Sequence, residues 1–237
     1  GYLPYDYLPT LVNPERGYIS TANQPTVPLE YYAFLAQELA DEFGEDASYI
    51  FNVGWPVGYR GQRVNELLEA ETVHSLDTFQ QMQADNKFLF AEEAMPYIAA
   101  LDMGGESRNT ARDWLAAWDY QMHRDSGEAA LFAQFFYRLM FNLYEDQLGD
   151  ITDPSGGSTN MHATTALMND PDNIWGDDIN TDAIEDRDAL LIRTFNEAYD
   201  ATVEALGDDR DQWAWGDLHT TTFVNTPLGV SGIGLLE

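Results

Sequence analysis

Few residues in this chain have the type and spacing that chemistry requires. Its four histidines are His74, His123, His162 and His219. None falls in an H-E-x-x-H pattern or an i, i+4 pair, so the ligand spacing of a zinc hydrolase is absent. Gly229-Val230-Ser231-Gly232-Ile233 approaches G-x-S-x-G but ends on isoleucine, and neither a Walker A motif nor G-x-G-x-x-G occurs. Asp178-Ile179-Asn180-Thr181-Asp182 opens like a calcium loop. Ala183 then stands where glycine is required and Ala189 where the bidentate glutamate belongs. The stretch reads instead as a solvated acidic loop leading into a helix N-terminus. With 41 acidic residues, no carboxylate pair stands out as a general acid and base. Trp114 and Trp118 are four apart, which suits helix packing better than a sugar platform. Two features remain. Asn23 follows the strand-like stretch Gly17–Ala22, where its amide could act as a fixed donor to a developing oxyanion or simply form a turn before Gln24-Pro25. Arg60 and Arg63 sit together in a chain with only eleven cations; Arg63 could serve a site or pair along a helix surface with Glu66 or Glu69.

The elements that would position these residues can be read from period and punctuation. Residues 1–28 are rich in proline and turn-forming. Within them Gly17–Ala22 reads as a strand, after the turn Asn13-Pro14-Glu15-Arg16. Leu29–Phe43 has a helical apolar stripe of Tyr32, Leu35, Ala36 and Leu39 and stops near Gly44. Residues 59–70 predict a second helix. Ser75–Leu101 predicts a third that bends at Pro96, and Thr110–Met122 a short fourth. Glu128–Leu148 is apolar nearly all round and should be the most buried helix. Residues 149–182 read as a polar loop and Asp182–Leu206 as the last long helix. A strand is expected around Thr220–Val224, followed by a glycine-rich apolar end. The expected organisation is therefore α+β and mainly α-helical: a strand-bearing segment over 1–28, a helical region over 29–210, and a return to the strand-bearing core over 211–237.

Composition narrows the function classes. The 237 residues are 44% hydrophobic and 13% aromatic, enough to build a core. Net charge is −30, and Lys87 is the single lysine beside ten arginines. Such a chain repels phosphate backbones and anionic lipid surfaces, so neither nucleic acid nor membrane is an expected partner. No apolar run is long enough to span a bilayer, and no signal peptide is visible. The chain has no cysteine, which excludes disulfides and thiolate metal sites. The carboxylates are spread along the whole chain. That favours adaptation to concentrated salt, where a Debye length of about 3 Å at 1 M screens self-repulsion. The alternative is an acidic helical interaction module, without chemistry, that binds a basic protein.

Five segments, in order along the chain, resemble the penicillin acylase family. Asn13-Pro14-Glu15-Arg16-Gly17-Tyr18-Ile19-Ser20-Thr21-Ala22-Asn23 is similar to that family's N-P-x-x-G-x-I-x-x-x-N. Tyr59-Arg60-Gly61-Gln62-Arg63-Val64-Asn65-Glu66-Leu67-Leu68 resembles Y-R-x-x-R-I-x-x-L-L, and Gln83-Ala84-Asp85 resembles Q-x-D. Trp213-Ala214-Trp215-Gly216-Asp217-Leu218-His219 and Pro227-Leu228-Gly229 are similar to W-x-W-G-x-x-H and P-L-G. The resemblance implies an N-terminal-nucleophile hydrolase with a layered αββα core, of which this chain would be an internal part of the β chain. It implies that Asn23 lines the oxyanion hole and that Arg63 organises the site beside the nucleophile. It further implies an N-terminal serine, which is not among these residues because position 1 is glycine. The reaction implied is hydrolysis of an N-acyl amide with a hydrophobic or aromatic acyl group. The α chain and the N-terminal part of the β chain would be the partners. No cofactor is implied; structural calcium in the complete enzyme is left open. By this resemblance the enzyme would be secreted or extracytoplasmic, and this chain alone would be inactive; the expected salty environment follows from the charge. A homologue that has lost its nucleophile is the remaining variant of this reading.

Overall fold

A run of 22 residues, Gly127–Leu148, can bury a continuous core only as a helix with apolar residues on most sides. In the computed structural model this helix is the axis around which its unit is built. The structure describes residues 3–44, 47–51, 54–149 and 156–223. It is mainly helical, with nine α-helices among the described residues: α1 (Leu29–Phe43), α2 (Tyr59–Glu69), α3 (Leu76–Ala84), α4 (Leu89–Ile98), α5 (Glu106–Ala116), α6 (Gly127–Leu148), α7 (Ser158–Met168), α8 (Arg187–Leu206) and α9 (Trp215–Leu218). The chain divides into two compact units, Gly1–Asp85 with Ser155–Asp170, and Asn86–Pro154 with Pro171–Glu237.

The second unit holds the larger core. Helix α6 packs along α8, and α4, α5 and α9 pack against this pair. Phe90, Phe132, Phe135, Phe195, Leu131, Leu139 and Ile98 are fully buried there. Phe88 meets Phe132 and Phe136 edge-on at 5.8 and 5.3 Å between ring centres, and Phe135 reaches Phe195 at 6.5 Å. Ser126 caps α6 by accepting from the Ala129 N–H at 3.0 Å, and Asp186 caps α8 by accepting from the Ala189 N–H at 2.8 Å. Glycine is required at the first residue of α6: a Cβ on Gly127 would lie 2.7 Å from the Trp114 ring and 3.1 Å from Trp213. Trp118 is buried, but α5 ends at Ala116, short of the predicted Met122, so its burial does not come from helical spacing to Trp114.

The first unit is thinner. Its buried side chains include Val27, Leu35 and Leu39, with Thr164 and Met168 of α7. Helix α1 follows its predicted bounds, except that Ala36 faces solvent. Leu8, Leu11, Val12, Ile19, Phe34 and Phe43 are all exposed.

Several sequence expectations are corrected. Residues 17–22 form no strand ladder, and neither do residues 220–223. A strand exists only against a partner, and among the described residues none lies beside either segment. The only bridge among the described residues is the antiparallel pair Lys87–Gln121. That bridge also breaks the predicted helix 75–101. The Phe88 N–H donates to the Tyr120 carbonyl at 2.8 Å and the Met122 N–H to the Asn86 carbonyl at 3.2 Å, so residues 85–88 leave the helical ladder and α3 and α4 are separate. Pro96 lies inside α4 without ending it. Helix α5 starts earlier than predicted because Asn109 and Asp102 order the loop before it: Asn109 Oδ1 accepts from the Met103 N–H, and Asp102 accepts from Asn109 Nδ2. These bonds, with one from the Gly104 N–H, hold the Asp102 carboxyl below the usual carboxylate range. The expected polar loop 149–182 contains α7, whose composition carries little apolar period. Helix α8 begins at its Asp186 cap and not at Asp182. Pro227-Leu228-Gly229, Val224 and the glycine-rich end lie outside the described residues.

Candidate functional site

Three of the five sequence motifs meet in the first unit. The segment 18–24 runs beside α2, and Tyr18 and Ser20, two residues apart, find partners four apart on the helix. The Tyr18 hydroxyl donates to Glu69, and the Ser20 hydroxyl donates to Asn65 Oδ1 at 2.8 Å. Gly61, buried, takes the Gln24 side chain against it, and Arg60 reaches the Ala22 carbonyl at 3.2 Å and Asn23 Oδ1. The match is geometric. Two residues of extended chain advance about 6.6 Å and four residues of helix about 6 Å. An extended segment antiparallel to a helix can therefore keep one register over several contacts. The rung at Glu69 also pushes the Tyr18 phenol pKa up, because the carboxylate accepts the hydroxyl proton.

Asn23 sits at the end of this ladder in the left-handed region, φ 61°. Asparagine tolerates that conformation better than most residues. Gln24 fixes the turn on both sides: its Nε2 donates to the Ser20 carbonyl at 3.1 Å, and its Oε1 accepts from the Ala22 N–H at 2.5 Å. Arg60 occupies the amide oxygen of Asn23, and the residue is exposed. An amide whose oxygen is held by a guanidinium is oriented, and its Nδ2–H bonds are polarised toward stronger donation.

Arg63 does not touch Asn23. It lies a little over half a turn away from the Gly61–Asn65–Glu69 face, near 200° round the helix from Gly61 at about 100° per residue. There it forms a fork with Asp85, Nε to Oδ2 at 2.9 Å and Nη2 to Oδ1 at 2.7 Å, and it also reaches Glu66 at 3.1 Å. The Asp85 fork, ahead of Glu66, raises the Arg63 pKa further, so its charge is permanent. Half of this was readable from sequence: the Glu66 pairing follows from spacing, whereas Asp85 lies 22 residues away. Sequence reasoning passed over Arg60 as the residue that reaches Asn23. The periods of the two segments, two against four, were the signal that could have found it.

The Trp213–His219 motif lies in the second unit, where it packs. Trp213 is buried and its Nε1 donates to the Gly207 carbonyl at 2.7 Å; Trp215 stacks on His219 at 4.7 Å. Among the described residues no group of three histidines or acidic residues is placed to hold a metal ion. Asp178 is engaged with its own loop, where Oδ1 accepts from the Asn180 N–H at 3.0 Å. No described helix is long and apolar enough to cross a membrane.

The sequence profile of the penicillin amidase family matches residues 1–235. The chain belongs to the penicillin amidase family. Among curated proteins it is 27% identical to the acyl-homoserine lactone acylase QuiP of Pseudomonas aeruginosa, over 93% of this chain and 27% of that protein. It is 27% identical to the protein of that name from Pseudomonas syringae pv. syringae and 28% to that from Pseudomonas fluorescens, each over 94% of this chain and 27% of the relative. The chain thus spans just over a quarter of the length of these relatives.

Proposed function

We propose that this chain is part of an N-terminal-nucleophile amidohydrolase that cleaves N-acyl compounds, and that Asn23 supplies an oxyanion-hole donor. The observation that carries this reading is the Arg60–Asn23 contact. It fixes the amide oxygen and leaves the Nδ2 donor of an exposed residue directed elsewhere. Attack on an amide carbonyl places negative charge on its oxygen, and a donor already held in position stabilises that charge without reorganising. Arg60 is the arginine we assign to Asn23. Arg63, with Asp85, anchors the helix that carries Arg60. The serine nucleophile, whose own α-amine acts as base, would lie outside this chain. The chain by itself would then lack turnover, and burst release from a chromogenic N-acyl amide would contradict that. The acylase names of the relatives support an N-acyl substrate; a hydrophobic or aromatic acyl group is our further reading.

The same reading accounts for the fold. Residues 1–28 and 211–237 would belong to a layered αββα core, with 29–210 as the helical region. Segment 17–22 would become a strand against neighbours from the α chain and the N-terminal part of the β chain. Ile19, 58% exposed between the inward Tyr18 and Ser20, alternates as such a strand requires. We further propose that the charge of −30 is an adaptation to concentrated salt, since acidic residues occur throughout both units. The decisive experiment is Asn23→Ala in the complete enzyme. Losing one oxyanion donor should lower kcat on the order of 100- to 1,000-fold with little change in KM. Undiminished kcat would remove the proposed role.

A further inference from the structure

The ladder between segment 18–24 and α2 has a central rung whose loss would be felt at Asn23. Ser20 is held twice. Its hydroxyl donates to Asn65 Oδ1 at 2.8 Å, and its carbonyl accepts from Gln24 Nε2 at 3.1 Å. The first bond ties the extended segment to the helix; the second ties it to the turn that holds Asn23 at φ 61°. Ser20 and Asn65 are both partly buried, whereas the outer rung, Tyr18 to Glu69, is exposed and competes with water. The end rung, Arg60 to Asn23, is also exposed. Its alignment depends on where the central rung sets the segment along the helix. A slip of one residue would turn Ser20 outward and carry Asn23 away from Arg60, because side chains alternate along an extended chain.

We propose that Ser20 and Asn65 are positioning residues, whose hydrogen bond sets the register of the segment on α2 and so brings the Asn23 amide to Arg60. This rests on the oxyanion role proposed for Asn23. Neither residue would touch substrate. Asn65 acts through its acceptor oxygen, so its chemistry at this position is that of any acceptor of the same shape.

The test uses the complete enzyme and an N-acyl chromogenic amide. A displacement of about 1 Å at a catalytic group can cost on the order of 100-fold, so Asn65→Leu should lower kcat by about tenfold or more while KM changes by less than about threefold. Asn65→Asp keeps the acceptor and should restore kcat to within about twofold of the parent. Ser20→Ala deletes the same bond from the other side by removing one oxygen. It should reproduce the kcat loss even where Asn65→Leu fails to fold. In an Asn23→Ala background, Asn65→Leu should bring no further loss of kcat, since its effect passes through Asn23. Unchanged kcat in Asn65→Leu and Ser20→Ala, with Asn23→Ala impaired, would overturn the inference and leave the role of Asn23 standing. An equal loss in the Asn23→Ala background would overturn it too. Full kcat in Asn23→Ala would overturn the oxyanion role itself, and this inference with it.

Discussion

The two units of this chain solve the folding problem with different materials. The second is built on interlocked aromatic rings, with Phe132, Phe135 and Phe195 fully buried between α6 and α8. The first has a thin core and is ordered by polar contacts: Ser20 with Asn65, Gln24 with the backbone of Ser20 and Ala22, Arg63 with Asp85. Apolar burial is large but indifferent to direction. Hydrogen bonds contribute less each, yet they fix distances and angles. On the proposed reading the first unit holds the Asn23 amide at one orientation, which suits the second kind, and the motif residues that converge are found there. The first unit also leaves Leu11, Val12, Ile19 and Phe34 exposed.

This contrast can be broken most severely in the second unit. In the complete enzyme, Phe195→Ala should destabilise by about 3–5 kcal/mol, through lost burial and the cavity left between α6 and α8. Denaturant unfolding would report it. A loss below about 1 kcal/mol would mean that the aromatic core does not carry the unit. A smaller effect, shared by both units, should come from salt. The melting temperature should rise from dilute buffer into molar KCl as the self-repulsion of 41 acidic residues is screened. A melting temperature that falls with added salt would favour the reading as an acidic module for a basic partner. The smallest effect is local to the first unit. The Tyr7 hydroxyl donates to Glu42 Oε2 at 2.7 Å, and this bond, with the neighbouring negative charge, pushes the phenol pKa up to about 12. The folded value lies above the unfolded one. The contact therefore stabilises below about pH 10 and is lost as pH rises through about 12. Tyrosinate absorbance should show late-titrating tyrosines, one of which moves to lower pH in Glu42→Gln; an unchanged titration would remove the contact.

How much was legible in the sequence differs between the units in the same way. Long apolar periods reveal helices, so α1, α2 and α6 fall within a residue or so of their expected bounds and α6 is indeed deeply buried. Helix α7 escaped because Ser158–Met168 has little apolar stripe, and the break at 85–88 escaped because its cause is a bridge to residues more than thirty positions away. Strand character at Gly17–Ala22 was readable as composition, but pairing belongs to neighbours and not to the segment. At the site, Asn23 could be singled out as a donor. Which arginine meets it depends on the angular position of residues 60 and 63 on α2, and this becomes visible only once the segment is laid along the helix.

The Asn23 amide is the centre of the proposed site. A structure of the complete enzyme with a boronate transition-state analogue on the nucleophile would test it most directly. Asn23 Nδ2 should lie at about 2.7–3.1 Å from the analogue's oxyanion position, with Asn23 Oδ1 still held by Arg60. An Asn23 amide turned away from that oxygen, or too far from it to donate, would contradict the account.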